Sequence, residues 1–226
     1  MAKRTLPPIT PDDVDRGVHL DFESQERGPI TLLGVYVPDA AEPFRQYLLD
    51  PVFAPMAEHR SPSVTWPVDV LDPADVLDLL AGLRSEGRRL FSWSTHDRDV
   101  VRRLVDESGH DPGFDPADVE DAKAHAKKWK RRVHPDVEFK RPKGRKWNRR
   151  GTHTLYNYER LVGIVRAPIW AGSNTGDRIA EVRAQMDKGR SGGSLTSGGK
   201  KAWTNLLIHN RLDCTNMHLV LREVAG

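Results

Sequence analysis

Asp21 and Glu23 are separated by a single residue in the apolar run Val18-His19-Leu20-Asp21-Phe22-Glu23. Side chains alternate faces along a strand, so these two carboxylates project from the same face. Two like charges on one face repel. They are tolerated where they meet water or share a cation, and from this motif alone both readings stay open. Two further acids lie at positions suited to a site. Asp97 follows Phe91-Ser92-Trp93-Ser94-Thr95-His96, where a short apolar strand gives way to a helix, and strand ends are where α/β sheets build their sites. Asp213 sits in the otherwise apolar helical stretch 205–217, four residues after His209, so the two share a helix face. Each has an ordinary alternative role: Asp97 as a helix N-cap, Asp213 as a partner of Arg211 or an amide, His209 as a structural histidine.

The elements that would carry these residues follow from the hydrophobic pattern. Strands are expected at 18–23 and 30–37, joined by a polar turn, with a third at 63–70. A helix over 73–86 opens at Asp72-Pro73, and a strand over 89–93 precedes a helix over 97–107. Residues 116–132 read as one basic helix, followed by a strand at 133–139. Helices are expected at 154–163, 177–188 and 201–224. Residues 189–199, with five glycines and three serines, read as a mobile loop, and residues 1–16 as a lead-in. The length suits one large domain or two small ones, and a single domain is expected over 17–226.

Charge is distributed unevenly. The chain of 226 residues has a net charge of only +3. Residues 1–122 hold 12 basic and 24 acidic side chains, whereas residues 123–150 hold 13 basic and 2 acidic ones. A basic block of this density within an acidic protein is an interaction surface, and phosphate is its natural counter-charge. Lys127, Lys130 and Arg131 are expected on one helical face, beside Lys128. Lys140, Lys143, Arg145, Lys146 and Arg149 extend the block into a loop. Trp129 and Trp147 could stack on bases or pack beneath the basic face. A protein-binding patch is the alternative use of the same charge. No apolar run approaches the 18 residues of a membrane span, and the N-terminus lacks an apolar signal core. The single cysteine, Cys214, cannot form an intrachain disulfide, which points to a reducing, cytoplasmic setting.

The order of the acids resembles that of the DEDD 3′–5′ exonuclease branch of the ribonuclease H-like superfamily. The matching stretches are Leu20-Asp21-Phe22-Glu23, Trp93-Ser94-Thr95-His96-Asp97 and His209-Asn210-Arg211-Leu212-Asp213. Residues 203–216 are similar to the last motif of predicted ribonuclease H-like exonucleases, and residues 152–161 to the helical region before it. The resemblance implies an α/β fold with a mixed five-stranded sheet, its first three strands antiparallel, flanked by helices. It implies two divalent cations, Mg²⁺ or Mn²⁺, on Asp21, Glu23, Asp97 and Asp213, and phosphodiester hydrolysis of DNA or RNA. Such hard cations take oxygen ligands, which suits four carboxylates. His209 stands where a tyrosine orients the attacking water in one subgroup, and it is spaced four residues before the last acid where the histidine subgroup has five. The alternatives are a ribonuclease H-like module that binds nucleic acid without cutting, and a protein-interaction domain using its basic loop.

Overall fold

The structure is a computed structural model, and it describes residues 7–25, 28–59, 61–139, 152–171 and 174–226. A short helix, α1 (Pro11–Asp15), is capped by Thr10 in a reciprocal box with Asp13 and leads into the sheet. The strands are β1 (Val18–Ser24), β2 (Ile30–Tyr36), β3 (Phe44–Leu48), β4 (Val68–Val70), β5 (Leu90–Ser92) and β6 (Val119–Asp121). The helices that follow α1 are α2 (Pro73–Ser85), α3 (Thr95–Ser108), α4 (Ala122–Val133), α5 (Leu155–Leu161), α6 (Pro168–Ala171), α7 (Thr175–Met186) and α8 (Ser197–Ala225). The sheet runs β4-β3-β2-β1-β5-β6. The pairs β1–β2 and β2–β3 are antiparallel, while β3–β4, β1–β5 and β5–β6 are parallel.

Alternation along β1 and β2 separates two cores. Leu20, Phe22, Leu33 and Val35 face α2 and α3, meeting Val76, Leu77, Leu80, Val100, Val101 and Leu104. The opposite face is covered by α8, which spans the sheet and adds Trp203, Leu206, Leu207 and Cys214 beside Leu32 and Leu48. Its C-terminal half packs Met217, Val220 and Leu221 against Phe91, Ala126, Trp129 and Tyr158. The result is a three-layer α/β sandwich in which a mixed sheet is buried on both sides. Among the described residues no helix is long and apolar enough to cross a membrane.

Several expected elements differ. Among the described residues the sheet has six strands and not five. The third strand is Phe44–Leu48, and only the end of the expected 63–70 strand, Val68–Val70, pairs with it. The polar Arg45 and Gln46 hid β3 from a reading based on apolar runs. The expected helix 116–132 is three elements: a 3-10 turn at Pro116–Asp118, then β6, then α4. Two aspartates act in succession, Asp115 capping the turn and Asp121 capping α4. Residues 134–139 form no strand; Phe139 instead packs edge-on against Tyr158 and His153. The Gly/Ser-rich stretch is shorter as a loop than expected. A 3-10 turn occupies Gly192–Ser194, the buried Gly192 N–H reaches Met56 Sδ, and α8 already begins at Ser197. The lead-in contains α1, whose Val14 is buried.

The β6 edge is fastened by a charged clasp. Arg89 donates from Nε and Nη2 to the two oxygens of Glu120, each at 2.7 Å, and His125 Nε2 lies 3.2 Å from Oε2. Burial pushes the Glu120 carboxyl upward, but His125 and Arg89 outweigh it and hold the pKa down at about 2. A carboxylate whose folded pKa is depressed stabilises the fold above its unfolded value and loses that contribution as pH falls through the folded value. Glu120 should therefore contribute on the order of 2 kcal/mol above pH ~5, fading between about pH 4.5 and 2. In acid titrations of urea stability, Glu120→Gln should lower stability at neutral pH and flatten this part of the profile. An unchanged profile would mean that the clasp contributes nothing.

Candidate active site

The four acids meet at the C-terminal end of the parallel pair β1–β5, beneath α8. Asp21 and Glu23 project from β1 toward the α8 face, and Glu23 is only 7% exposed, which removes the reading of a strand end open to water. The β1–β2 register shifts between Glu23 and Ser24, so regular pairing ends just beyond the second acid. Asp97 is not an N-cap. Ser94 caps α3, accepting from the His96 N–H, and Asp97 sits in the first turn, 4% exposed. Its Oδ1 accepts the Phe22 N–H at 3.3 Å, between Asp21 and Glu23 on the neighbouring strand, and its Oδ2 accepts from Ser94 Oγ at 3.4 Å. Asp99 points away and pairs with Arg102 at the surface.

Asp21 is positioned by a chain of buried amides that sequence reading missed. Asp21, Gly34 and Gln46 lie in one row across β1, β2 and β3. Gly34 lets α8 descend onto this row: a Cβ there would stand 2.3 Å from Asn210 Oδ1 and 3.0 Å from Cys214 Sγ. Asn210 fills the space. It donates from Nδ2 to both the Asp21 carbonyl and Oδ2 at 2.8 Å, and its Oδ1 accepts from Gln46 Nε2 at 2.7 Å. Gln46 in turn accepts from Trp66 Nε1 and donates to the Leu207 carbonyl. The signal in the sequence was a polar residue at an inward position of a short strand, Gln46, opposite a glycine in an apolar strand.

Asp213 and His209 lie on one face of α8, as their spacing requires. His209 Nε2 is 3.3 Å from Asp213 Oδ2 and 3.9 Å from Glu23 Oε1. Ligand atoms of Glu23, His209 and Asp213 all lie within 4.8 Å of one another. The cation expected beside Asp213 is not Arg211, which stacks over Trp66 at 4.5 Å. It is Arg166, from the stretch between α5 and α6, which donates from Nη1 to Asp213 Oδ1 and from Nη2 to Glu159 Oε1. Neither Arg166 nor Glu159 stood out in the sequence, since a lone arginine and a helical glutamate are ordinary residues.

The electrostatics divide the cluster. Burial, followed by the charges of Glu23, Asp213 and Asp97, pushes the Asp21 carboxyl well above the usual range, against the Asn210 hydrogen bond. Burial likewise raises Asp97 to about 7, opposed by the Phe22 N–H. Asp213 is the reverse: burial raises it, but His209 and Arg166 outweigh that and hold it below the carboxylate range. Burial lowers His209, while Asp213 and Glu23 raise it by more, so its pKa stands above the ordinary imidazole value. This donor set fits hard divalent cations. Several carboxylates converge, burial and repulsion by the neighbouring acids hold two of them raised, and the ligand atoms of Glu23, His209 and Asp213 lie close enough to share one ion.

The basic block falls into separate environments. On α4, Lys128 and Arg131 are exposed and Lys127 is partly exposed. Lys130 does not share their face: it is 8% exposed, its Nζ lies 5.2 Å from the Phe139 ring and donates to the His134 carbonyl. Trp129 packs in the core. Lys140, Lys143, Arg145, Lys146, Trp147 and Arg149 lie outside the described residues. The aromatic series Phe139, His153, Tyr158 and Trp93 links this face to the end of β5, near Asp97.

No protein-family model matches the chain, and no curated protein or solved structure matches it. Gly34→Ala tests the seating of α8. It should lower stability by about 1–3 kcal/mol in urea denaturation, because the added methyl must displace Asn210. Unchanged stability would show that α8 can lift from the sheet without loss.

Proposed function

We propose that this chain is a metal-dependent nuclease that hydrolyses phosphodiester bonds of DNA or RNA, with 3′–5′ exonuclease action as the form its resemblance suggests. The observation that carries the reading is the convergence of Asp21, Glu23, Asp97 and Asp213, drawn from three distant segments, at one end of β1–β5. These four residues would hold the cations. Two bound divalent ions would supply the activation of a water and the stabilisation of the leaving oxygen in an in-line displacement.

The protein's own residues supply orientation and charge. Asn210 fixes the Asp21 Oδ2 oxygen, and the Phe22 N–H fixes Asp97 Oδ1. His209 Nε2 lies between Asp213 and Glu23, where the ring would exchange a proton with the site. Lys127, Lys128 and Arg131 offer a sequence-independent track for the phosphate backbone. Trp129 has no part in stacking, because it is core. A second reading, binding without cleavage, draws on the pairing of Asp213 with Arg166 and His209, which balances one acid without any metal.

A cleavage assay on 5′-labelled single- and double-stranded DNA and RNA, with Mg²⁺, Mn²⁺ or EDTA, tests the proposal. Metal-dependent shortening should fall at least about 100-fold in Asp21→Asn. In EDTA that variant should melt no lower than wild type, since a repelling charge is gone. Wild-type cleavage by Asp21→Asn would sink the assignment. No cleavage by either protein, with tight binding, would favour the second reading. Replacing Lys127, Lys128 and Arg131 together by Ala should weaken binding and reduce the log K against log salt slope by about 2. An unaltered slope would take α4 out of the binding path.

A further inference from the structure

The group that holds Asp213 is unusual in its burial. Glu159 is 0% exposed and Arg166 is 8% exposed. Arg166 bridges Glu159 and Asp213 with its two terminal nitrogens and also donates from Nη1 to the Trp170 carbonyl at 3.2 Å. Asn216 Nδ2, on α8 one turn beyond Asp213, donates to Glu159 Oε1 at 3.1 Å. Among the described residues the pairing is not fully satisfied: Glu159 Oε2 and Arg166 Nε are buried with no hydrogen-bond partner there. A buried ion pair with orphaned polar atoms is a poor device for stability. Apolar residues of similar volume are often equal or better. Among the described residues the hydrogen bonds of Glu159 go to Arg166 and Asn216.

What the arrangement does accomplish is geometric. Arg166 takes Asp213 Oδ1, so Oδ2 is turned toward His209 Nε2 and the Glu23 side. A planar guanidinium bridging two carboxylates restricts both at once, which a point charge does not. We propose that Glu159 and Arg166 are a positioning pair for Asp213, fixing one of its oxygens so that the other faces Glu23 and His209 as a cation ligand. Neither residue touches the reacting atoms. The metal-binding part of this inference rests on the nuclease reading; the positioning part does not.

Two readouts keep them apart. The first is Mn²⁺ binding to the full chain by titration calorimetry, and the second is a crystal structure of the metal-free protein. The double variant Glu159→Gln with Arg166→Met removes both charges of the fully buried pair and leaves Asn216 an acceptor, while Asp213, whose side chain is partly exposed, loses Arg166 and is left with His209 alone. It should keep a cooperative melt, let Asp213 leave His209 in the crystal structure, and bind Mn²⁺ at least about tenfold more weakly. Arg166→Lys, which retains the charge without the two-armed geometry, should lose about threefold in Mn²⁺ affinity, and it decides the matter if the double variant does not fold. Mn²⁺ affinity equal to wild type in these variants overturns the proposal. So does tighter binding, which would make Arg166 a competitor of the metal. If wild type binds no Mn²⁺, the nuclease reading falls, and the position of Asp213 in the variant crystal structures decides the positioning pair alone.

Discussion

The site depends on how closely α8 lies on the sheet. Gly34 is the point of contact, in register with Asp21 on one side and Gln46 on the other. Without a side chain at that position, the Asn210 amide drops between two strands and bonds with both neighbours. That single seating sets the height and rotation of the helix. His209 and Asp213, one residue before and three after Asn210, are then carried to Glu23 at a fixed distance. Packing farther along the same helix, through Trp203 and Leu207 at one end and Met217 and Leu221 at the other, keeps the seating from rocking. A helix packed only by apolar side chains could slide. One pinned by a buried amide relay to a strand cannot do so without breaking several hydrogen bonds at once.

The fold tolerates its concentrated negative charge by unequal compensation. Asp213 is answered by full or partial cations, Arg166 and His209. Among the described residues, Asp21 receives only a neutral amide donor and Asp97 only a backbone N–H and the Ser94 hydroxyl, and their carboxyls stay raised. Neutral donors orient a carboxylate without cancelling its charge. The cluster is therefore half-answered: one side is locked by protein cations, and the other is arranged but left hungry for positive charge. An arrangement designed for stability would have used apolar residues here, as the opposite face of β1 does with Leu20 and Phe22.

How much of this the sequence disclosed depends on the range of each interaction. Periodicity located β1, β2, α2, β5, α3, α7 and α8 within a few residues, because each has an uninterrupted apolar face. Helix geometry puts Asp97 and Asp99 on different faces, but only the contact with the Phe22 N–H on β1 shows that Asp97 is the inward one. Periodicity missed β3 because Gln46 faces inward for a partner 164 residues away in the chain. It merged β6 with α4 because Val119, Glu120 and Asp121 look like a helical first turn unless their partners Leu90, Phe91 and Ser92 are known. It put Lys130 in solvent because nothing local announces that Phe139 folds back over it. Arg166 and Glu159 were invisible for the same reason: their importance lies entirely in a contact to Asp213, 47 residues beyond Arg166.

The positive and negative surfaces also constrain one another. A polyanion drawn to α4 would be repelled by an acid cluster of which only one side is balanced within the protein. A simple acidic protein partner for the basic face would leave the buried carboxylates without purpose, since none of them pairs with a residue of α4 among the hydrogen bonds described. Added cations remove the conflict. They would satisfy Asp21, Glu23 and Asp97 and turn the repelling end of the track into an attracting one for phosphate. On the proposed nuclease reading, the two halves of the charge pattern would serve one ligand, with α4 holding the backbone and the carboxylate end gripping a phosphate through metal. That shared requirement, more than either patch alone, is what favours phosphodiester chemistry over a passive interaction surface.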